Sequence, residues 1–358
     1  MKIFVVRHGQ SKANVGIDTG EDIVDSELSE EGIRQAERLA ARLKDKEFEA
    51  IYSSDFRRAK KTADIINKNH GHEVIRDVRL REYNFGEYLD YGKFIEFLDK
   101  EIKEKNIPRE FISPPKGESG LMHRERIRKF LEEIQKKHKG DILIVAHGGT
   151  NQLIHSVLRN LTFEEAHITP QANTCVNEFE LIDERWQCNI NNCSLHLPIP
   201  KGLIDAFEAS REEPFLMPEE INGYDGRCFG KHRRLKRKID ELGIKTRFRV
   251  ARFSWSRQNI PKEIIDLALR DENHHLFLQV KVYSKWLNVD STYDSRMPKF
   301  NEWDARSNTE IAVDYDENLS DEESLDIEEE EKELFVKEFD LWQDFYRELN
   351  KYLREIKK

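Results

Sequence analysis

Apolar positions in the first half of the chain alternate between short solid runs and spaced stretches. Ile3–Val6, Ala50–Tyr52 and Ile142–Ala146 are unbroken and read as buried strands. Glu31–Leu43, Phe56–Asn67 and His123–Lys137 repeat their apolar residues every three or four positions, the spacing of a helix with one buried face. In the third stretch Ile127, Phe130, Leu131 and Ile134 share that face. Strands alternating with helices predict βα units, and hence an α/β, three-layer domain with a mostly parallel sheet covered on both sides. Ser29, ahead of Glu30 and Glu31, reads as a helix N-cap with acid in the first turn. From Cys175 to Ile190 the alternation shortens and predicts a closing hairpin.

The pattern changes at Pro198-Ile199-Pro200, with further prolines at 214 and 218. A helix from Cys228 to Leu242 follows, then strands at Arg247–Phe253, Leu276–Tyr283 and Trp286–Val289. Asp314 to Glu333 is dominated by acid, which repels itself and is expected to stay flexible. Phe335, Phe339, Trp342, Phe345, Tyr346, Leu349, Tyr352, Leu353 and Ile356 then recur at helical spacing. The predicted organisation is a domain over 1–195, a linker over 196–219 and an α+β domain over 220–312. An acidic flexible segment over 313–333 and an amphipathic C-terminal helix over 334–358 complete it.

Charge and composition narrow the function classes. Asp and Glu number 69 against 59 Lys and Arg, a net charge of -10, which argues against a nucleic-acid coat. The longest apolar runs fall far short of the ~20 residues of a membrane span. Met1-Lys2 with four apolar residues before Arg7 is too short for a secretory signal, so a cytoplasmic protein is expected. Four cysteines in 358 residues do not make a disulfide scaffold. Cys188, Cys193 and His196 are irregularly spaced without an obvious fourth ligand, so no metal is expected there. No pattern speaks to oligomeric state.

Two histidines directly follow strong strands, in Val5-Val6-Arg7-His8-Gly9 and Val145-Ala146-His147-Gly148-Gly149. Ligands of a parallel α/β sheet bind beyond the carboxyl ends of its strands, so both should meet in one crevice. The glycines after each histidine allow a tight turn that brings backbone amides near an anion. A third strand delivers Arg57 and Arg58 to the same edge. Histidines and arginines with little acid make an oxyanion pocket and a poor metal site, because guanidinium does not ligate metals.

The segments Arg7-His8-Gly9-Gln10-Ser11 with Asn14 and Leu28-Ser29-Glu30-Glu31-Gly32 resemble the opening of the histidine phosphatase (phosphoglycerate mutase-like) superfamily. Tyr52-Ser53-Ser54-Asp55-Phe56-Arg57-Arg58-Ala59, Leu80-Arg81-Glu82-Tyr83-Asn84-Phe85-Gly86, Gly117-Glu118-Ser119 and Ala146-His147-Gly148-Gly149 extend the resemblance over about residues 1–190. Gln10 stands where the family more usually has an acid. The resemblance implies that His8 becomes phosphohistidine, that Arg7, Asn14, Arg58 and His147 hold phosphoryl oxygens, and that Glu82 protonates the leaving group. Gln10 and Gly148 are the further expected substrate contacts. Helical spacing leaves Arg57 and Arg58 open; the family pattern selects Arg58, which precedes the small Ala59. The reading is a phosphatase of a small phosphorylated substrate, without cofactor. A phosphoglycerate-type mutase using the same phosphohistidine is the alternative, and a non-catalytic binding scaffold the alternative of another class. The mutase branch carries a longer basic insertion, whereas Tyr83 to Ala146 has no adjacent arginine pair.

The second half holds a different constellation. Cys228 opens a helix after Arg227, a setting that favours thiolate, and His275 and Asp290 flank a predicted pair of antiparallel strands. Cys228, the stretch Leu242-Gly243-Ile244-Lys245-Thr246-Arg247, His275, and Trp286-Leu287-Asn288-Val289-Asp290-Ser291-Thr292 together resemble the transglutaminase-like core of the papain-like fold over about residues 220–300. The resemblance implies a Cys228 nucleophile, a His275 base and an Asp290 orienting carboxylate acting on an amide bond of a protein or peptide.

Overall fold

The computed structural model describes residues 1–16, 24–88, 91–167, 171–283, 285–297 and 299–357. The chain forms two compact units, Met1–Pro198 and Ile199–Lys358. Among the described residues no helix is long and apolar enough to cross a membrane.

The first unit contains β1 (Lys2–Arg7), α1 (Glu30–Leu43), β2 (Ala50–Ser53), α2 (Arg57–Asn67), β3 (Val74–Arg76) and α3 (Tyr91–Lys105). α4 (Gly120–Lys137), β4 (Ile142–Ala146), α5 (Gly148–Arg159), α6 (Phe163–His167), β5 (Val176–Ile182) and β6 (Arg185–Cys193) follow. Its sheet runs β3-β2-β4-β1-β5-β6, with β1, β2, β3 and β4 parallel and the β5–β6 hairpin antiparallel. This is the expected α/β domain with a mostly parallel sheet. The solid apolar runs follow from burial on both faces. In β1, Ile3 and Val5 pack with Ile127, Phe130 and Leu153, while Phe4 and Val6 pack with Leu39, Ala63 and Ile66. Ser29 caps α1 by accepting from Gly32 N–H at 3.0 Å, and Ser119 caps α4 from Met122 N–H at 3.2 Å. Phe94 and Leu98 of α3 pack with Ile112, Tyr83 and Phe85.

The second unit contains α7 (Leu203–Arg211), α8 (Cys228–Glu241), β7 (Thr246–Ser254), α9 (Lys262–Ile265), β8 (Glu272–Val282) and β9 (Lys285–Val289). β10 (Tyr315–Asn318), α10 (Asp321–Glu338) and α11 (Gln343–Ile356) complete it. Its sheet is antiparallel in the order β10-β7-β8-β9. Leu235 and Ile239 of α8 pack on Leu278 and Val280 of β8. Ser284, in the expected turn, lies outside the described residues.

Three expectations are corrected here. The linker over 196–219 contains α7, whose Leu203 and Phe207 are fully buried in the second unit's core, packed with Leu235 and Leu278. The acidic segment over 313–333 is ordered as β10 and most of α10. Part of its charge is paired with arginines: Asp321 meets Arg247 and Arg249, Asp316 meets Arg257, and Glu328 pairs with Arg233 at 2.7 Å. A capping box between Ser320 and Glu323 starts α10. The C-terminal helix over 334–358 is divided among the end of α10, a short turn at Phe339–Trp342 and α11.

Candidate active site

β1 and β4 are parallel neighbours with Arg7 opposite Ala146, so the residues that follow emerge side by side. His8 and His147 thereby come within 5.1 Å, ring centroid to centroid. The loop after β1 touches the start of α1 so closely that a side chain at Gly9 would collide with the Gly32 carbonyl. Gly9 N–H donates to Thr62 Oγ1 at 3.0 Å, which fixes the backbone beside the histidine.

His8 Nδ1 lies 2.6 Å from the Gly9 carbonyl oxygen, which can only accept. Nδ1 therefore carries the proton and Nε2 presents its lone pair, to which Arg58 Nε–H donates at 3.1 Å. Burial, then the charges of Arg58 and Arg7, hold His8 well below the usual imidazole range, so it is neutral. Arg57, one position earlier on α2, turns away and donates through Nε to the Asp25 carbonyl at 2.8 Å. Arg58 is thus the arginine that meets His8.

His147 is fully buried and also kept neutral, by burial and then by Arg58, His8 and Arg7. Its Nε2 is 2.9 Å from Ser54 Oγ, while its Nδ1 has no hydrogen-bond partner among the described residues. Arg7 Nη1 donates to the Gln171 carbonyl at 2.6 Å, and its buried Nε is likewise without a partner. Leaving such groups unpaired is costly in a folded core, and an anion beside His8 satisfies both.

Glu82 sits against the first turn of α5. Its carboxylate accepts from Tyr83 N–H at 3.0 Å, Thr150 N–H at 3.1 Å and Gly149 N–H at 3.1 Å. Arg81 pairs with Asp55 and Arg79 with Asp77 and Glu133, so neither arginine ties Glu82 into a surface ion pair. A Cβ at Gly149 would lie 2.8 Å from Glu82 Oε1, whereas one at Gly148 would make ordinary contact with Arg7 Nε at 3.6 Å. Beside Glu82 is a cavity of about 130 Å³ lined by Tyr83, Phe85, Phe94, Arg109 and Phe163.

The remaining expected contacts are further out. Asn14 Oδ1 accepts from Ser11 N–H at 3.1 Å and Asn173 Nδ2 at 3.3 Å, and Asn173 also donates to the His8 carbonyl at 3.0 Å. Gln10 Oε1 accepts from Ser29 Oγ at 2.8 Å, which joins it to the cap of α1 rather than to the two histidines. Cys193 and His196 are both drawn to Arg42, whose guanidinium is 3.2 Å from each; a cation occupies that cluster.

The model of the histidine phosphatase superfamily (branch 1) matches residues 3–194. The chain belongs to this superfamily. A metal-independent phosphoserine phosphatase of Arabidopsis thaliana is 33% identical over 196 residues, covering 52% of this chain and 78% of that protein. Phosphoserine phosphatase 1 of Hydrogenobacter thermophilus is 34% identical over 158 residues, covering 41% of this chain and 71% of that one. Phosphoglycerate mutase-like protein 4 of Arabidopsis thaliana is 33% identical over 217 residues, covering 59% and 93%. Within this histidine phosphatase unit, sequence reasoning overlooked Ser54, Thr62, Thr150 and Asn173. Ser54 was findable, since it follows β2 as His147 follows β4, and those strands are neighbours.

In the second unit, Cys228 is the first residue of α8, and no side chain caps the helix. His275 lies three residues inside β8 rather than at its start, beyond the last pair, Leu278 with Val289, that β9 makes with β8. There the chain leaves the sheet, and Asp290 Oδ2 reaches His275 Nε2 at 2.7 Å. Cys228 and the same imidazole line one cavity. Burial pulls His275 down, but Asp290 and Cys228 overcome it and push His275 up to about 10. Asp290 also accepts from Thr292 N–H at 2.9 Å and Ala312 N–H at 2.8 Å. Lys231 and His232, unnoticed in the sequence, tie the parts together. Lys231 Nζ donates to the Thr292 carbonyl at 3.0 Å, and His232 bridges the Cys228 carbonyl and Ser291 N–H at 2.9 and 3.0 Å.

Proposed function

We propose that the first unit hydrolyses a small phosphomonoester through a phosphohistidine on His8. The observation that carries this reading is the buried, neutral His8 with its Nε2 lone pair facing Arg58. Nε2 attacks phosphorus, forming the N–P bond as the P–O bond to the leaving alcohol breaks. Arg58 shifts its donor from Nε2 to a phosphoryl oxygen, and Arg7 Nε with His147 Nδ1 receives the others. Glu82 gives a proton to the departing alkoxide, then takes one from the water that attacks phosphohistidine and releases phosphate. Asn14 and the Gly148 amide complete the phosphoryl site, while Gln10 acts through the cap of α1.

The cavity beside Glu82 suits the alcohol part of the substrate, and Arg109 offers a partner for a carboxylate there. Relatives named phosphoserine phosphatases make O-phosphoserine the first natural ester to try. The deciding experiment compares phosphate release from O-phosphoserine and p-nitrophenyl phosphate, in EDTA, with isomerisation of 3-phosphoglycerate. Phosphate release lost in His8→Ala supports the phosphatase. Fast isomerisation with negligible release would make the protein a mutase.

The second unit supports a separate reading, a thiol-dependent hydrolase or acyl transferase of transglutaminase-like type. What supports it is the Cys228–His275–Asp290 arrangement, with Asp290 on Nε2 and Nδ1 left for the thiol. A protein or peptide amide as its substrate belongs to the same proposal. Mass spectrometry after exposure to an activated ester tests it, with an acyl adduct on Cys228 as the expected product.

A further inference from the structure

Cys228 and His275 open into a cavity of about 620 Å³ within the second unit. One wall comes from a part of the chain that contributes nothing to the Cys–His–Asp arrangement itself. Trp342, at the turn before α11, and Tyr346, Leu349, Tyr352 and Ile356 of α11 line it, facing Trp255. These side chains belong to the unit's second apolar cluster, with Trp342 stacked on Tyr346 at 5.9 Å between centroids. Arg227, next to the nucleophile, donates to Tyr346 Oη at 3.3 Å, so the start of α8 and the wall are held together. Two buried polar atoms of residues that line this cavity, Trp255 Nε1 and Thr292 Oγ1, have no hydrogen-bond partner among the described residues. A cavity with a free thiol, a wide apolar wall and unpaired polar atoms has the make-up of a small-molecule or side-chain pocket.

We propose that the second site accepts esters or amides whose acyl group is bulky and apolar, and that the α11 wall receives this group while Cys228 attacks its carbonyl. This rests on the thiol-nucleophile reading given above. Cys228 Sγ, its proton already held by His275, attacks the carbonyl and forms the C–S bond. The oxyanion collapses, the bond to the leaving group breaks, and His275 returns the proton to that group. Water then gives a proton to His275 and attacks the thioester, releasing the carboxylic acid and the thiol. The acyl group is the part that stays tethered to Cys228 between the two halves, so it is the part the adjoining wall serves throughout.

The full chain and Cys228→Ser are assayed with p-nitrophenyl acetate, butanoate, hexanoate and 3-phenylpropanoate, with acylation of Cys228 followed by mass spectrometry. The Cys228-dependent kcat/KM is expected to rise by about tenfold or more from acetate to hexanoate, as each buried methylene adds to transition-state binding. Tyr352→Ala, on the half-buried part of the wall, should shrink the hexanoate-to-acetate ratio. Cys228-dependent hydrolysis that is flat or falls with acyl size overturns the apolar subsite and leaves the thiol nucleophile standing. Absence of any Cys228 adduct, with all four esters and with iodoacetamide, overturns both.

Discussion

Arg58 Nε–H donates to His8 Nε2 at 3.1 Å, so the guanidinium occupies the lone pair that a phosphoryl group needs. The arginine therefore has two successive tasks, first holding the imidazole tautomer and then leaving it for the substrate's oxygens. Arg58→Ala should lower kcat/KM for p-nitrophenyl phosphate by about 10²–10³, the range seen when one transition-state donor is removed. Arg58→Lys should recover little, because a point charge replaces a planar donor that spans His8 and the Val24 carbonyl. Equal activity of the lysine variant and the parent would refute the argument.

The neutrality of His8 has a pH signature. Its folded-state value is depressed, so protonation does not remove the nucleophile until well below 6.5. The kcat/KM profile should show no acidic limb centred at 6.5 that belongs to His8. Measuring the profile with two substrates of different phosphate pKa separates the enzyme's limb from the substrate's.

Glu82 should matter in proportion to how poor the leaving group is. Glu82→Gln should cost O-phosphoserine hydrolysis far more than p-nitrophenyl phosphate hydrolysis, since p-nitrophenolate leaves without a proton. Gly149→Ala places a Cβ 2.8 Å from Glu82 Oε1 and should reproduce the same bias by displacing the carboxylate. Equal losses on both substrates would assign Glu82 a positioning task instead.

Much of this first site was legible because strand and glycine together fix it. A solid run such as Val145-Ala146 reports a strand buried on both faces, and the histidine after it marks the carboxyl edge. Ser54, Thr62 and Thr150 were silent because a hydroxyl has no periodicity and acquires its partner only when strands and helices become neighbours. The acidic run misled for a related reason. Its charge partners, Arg247, Arg249 and Arg257, lie on or just beyond β7, far away in sequence, so the run reads as self-repelling until the sheet forms. Cys228, His275 and Asp290 could be named, but the α11 wall beside them could not, because amphipathic spacing says that a helix is covered and not by what.

The His275–Asp290 pair makes the stability of the second unit pH-dependent in a defined direction. His275 is raised from 6.5 to about 10 in the folded state. The stability it contributes is fully present below pH 6.5 and is lost as pH rises from there through about 10. His275→Gln removes that contribution, so the Tm difference between parent and variant should shrink steadily over this window. His232, lowered to about 4 by burial, has the opposite sign and favours unfolding as pH falls from 6.5 to about 4. That titration lies below pH 6.5 and so does not enter a comparison made from pH 6.5 to 10. A Tm difference that is constant from pH 6.5 to 10 would mean that the pair is not ionised as described.

The four thiols should differ in reactivity for reasons readable at each position. Cys175 is fully buried and donates to Gln171 Oε1 at 3.3 Å. Burial pushes the Cys188 thiol up, away from thiolate, and its Sγ lies 3.3 Å from the Ile190 carbonyl. Cys193 Sγ is engaged by Arg42 Nη2 at 3.2 Å. Cys228 alone among them lines the large cavity, beside the His275 imidazole that Asp290 pushes up despite its burial. Iodoacetamide should therefore alkylate Cys228 first at neutral pH, as peptide mass spectrometry over a time course would register. His275→Ala should slow that alkylation towards the rate of the other exposed thiols while leaving the label at Cys188 and Cys193 unchanged. This comparison separates activation by the imidazole from mere access. A Cys228 that reacts equally fast with and without His275 is only an exposed thiol, and the nucleophile reading of the second unit would not survive that result.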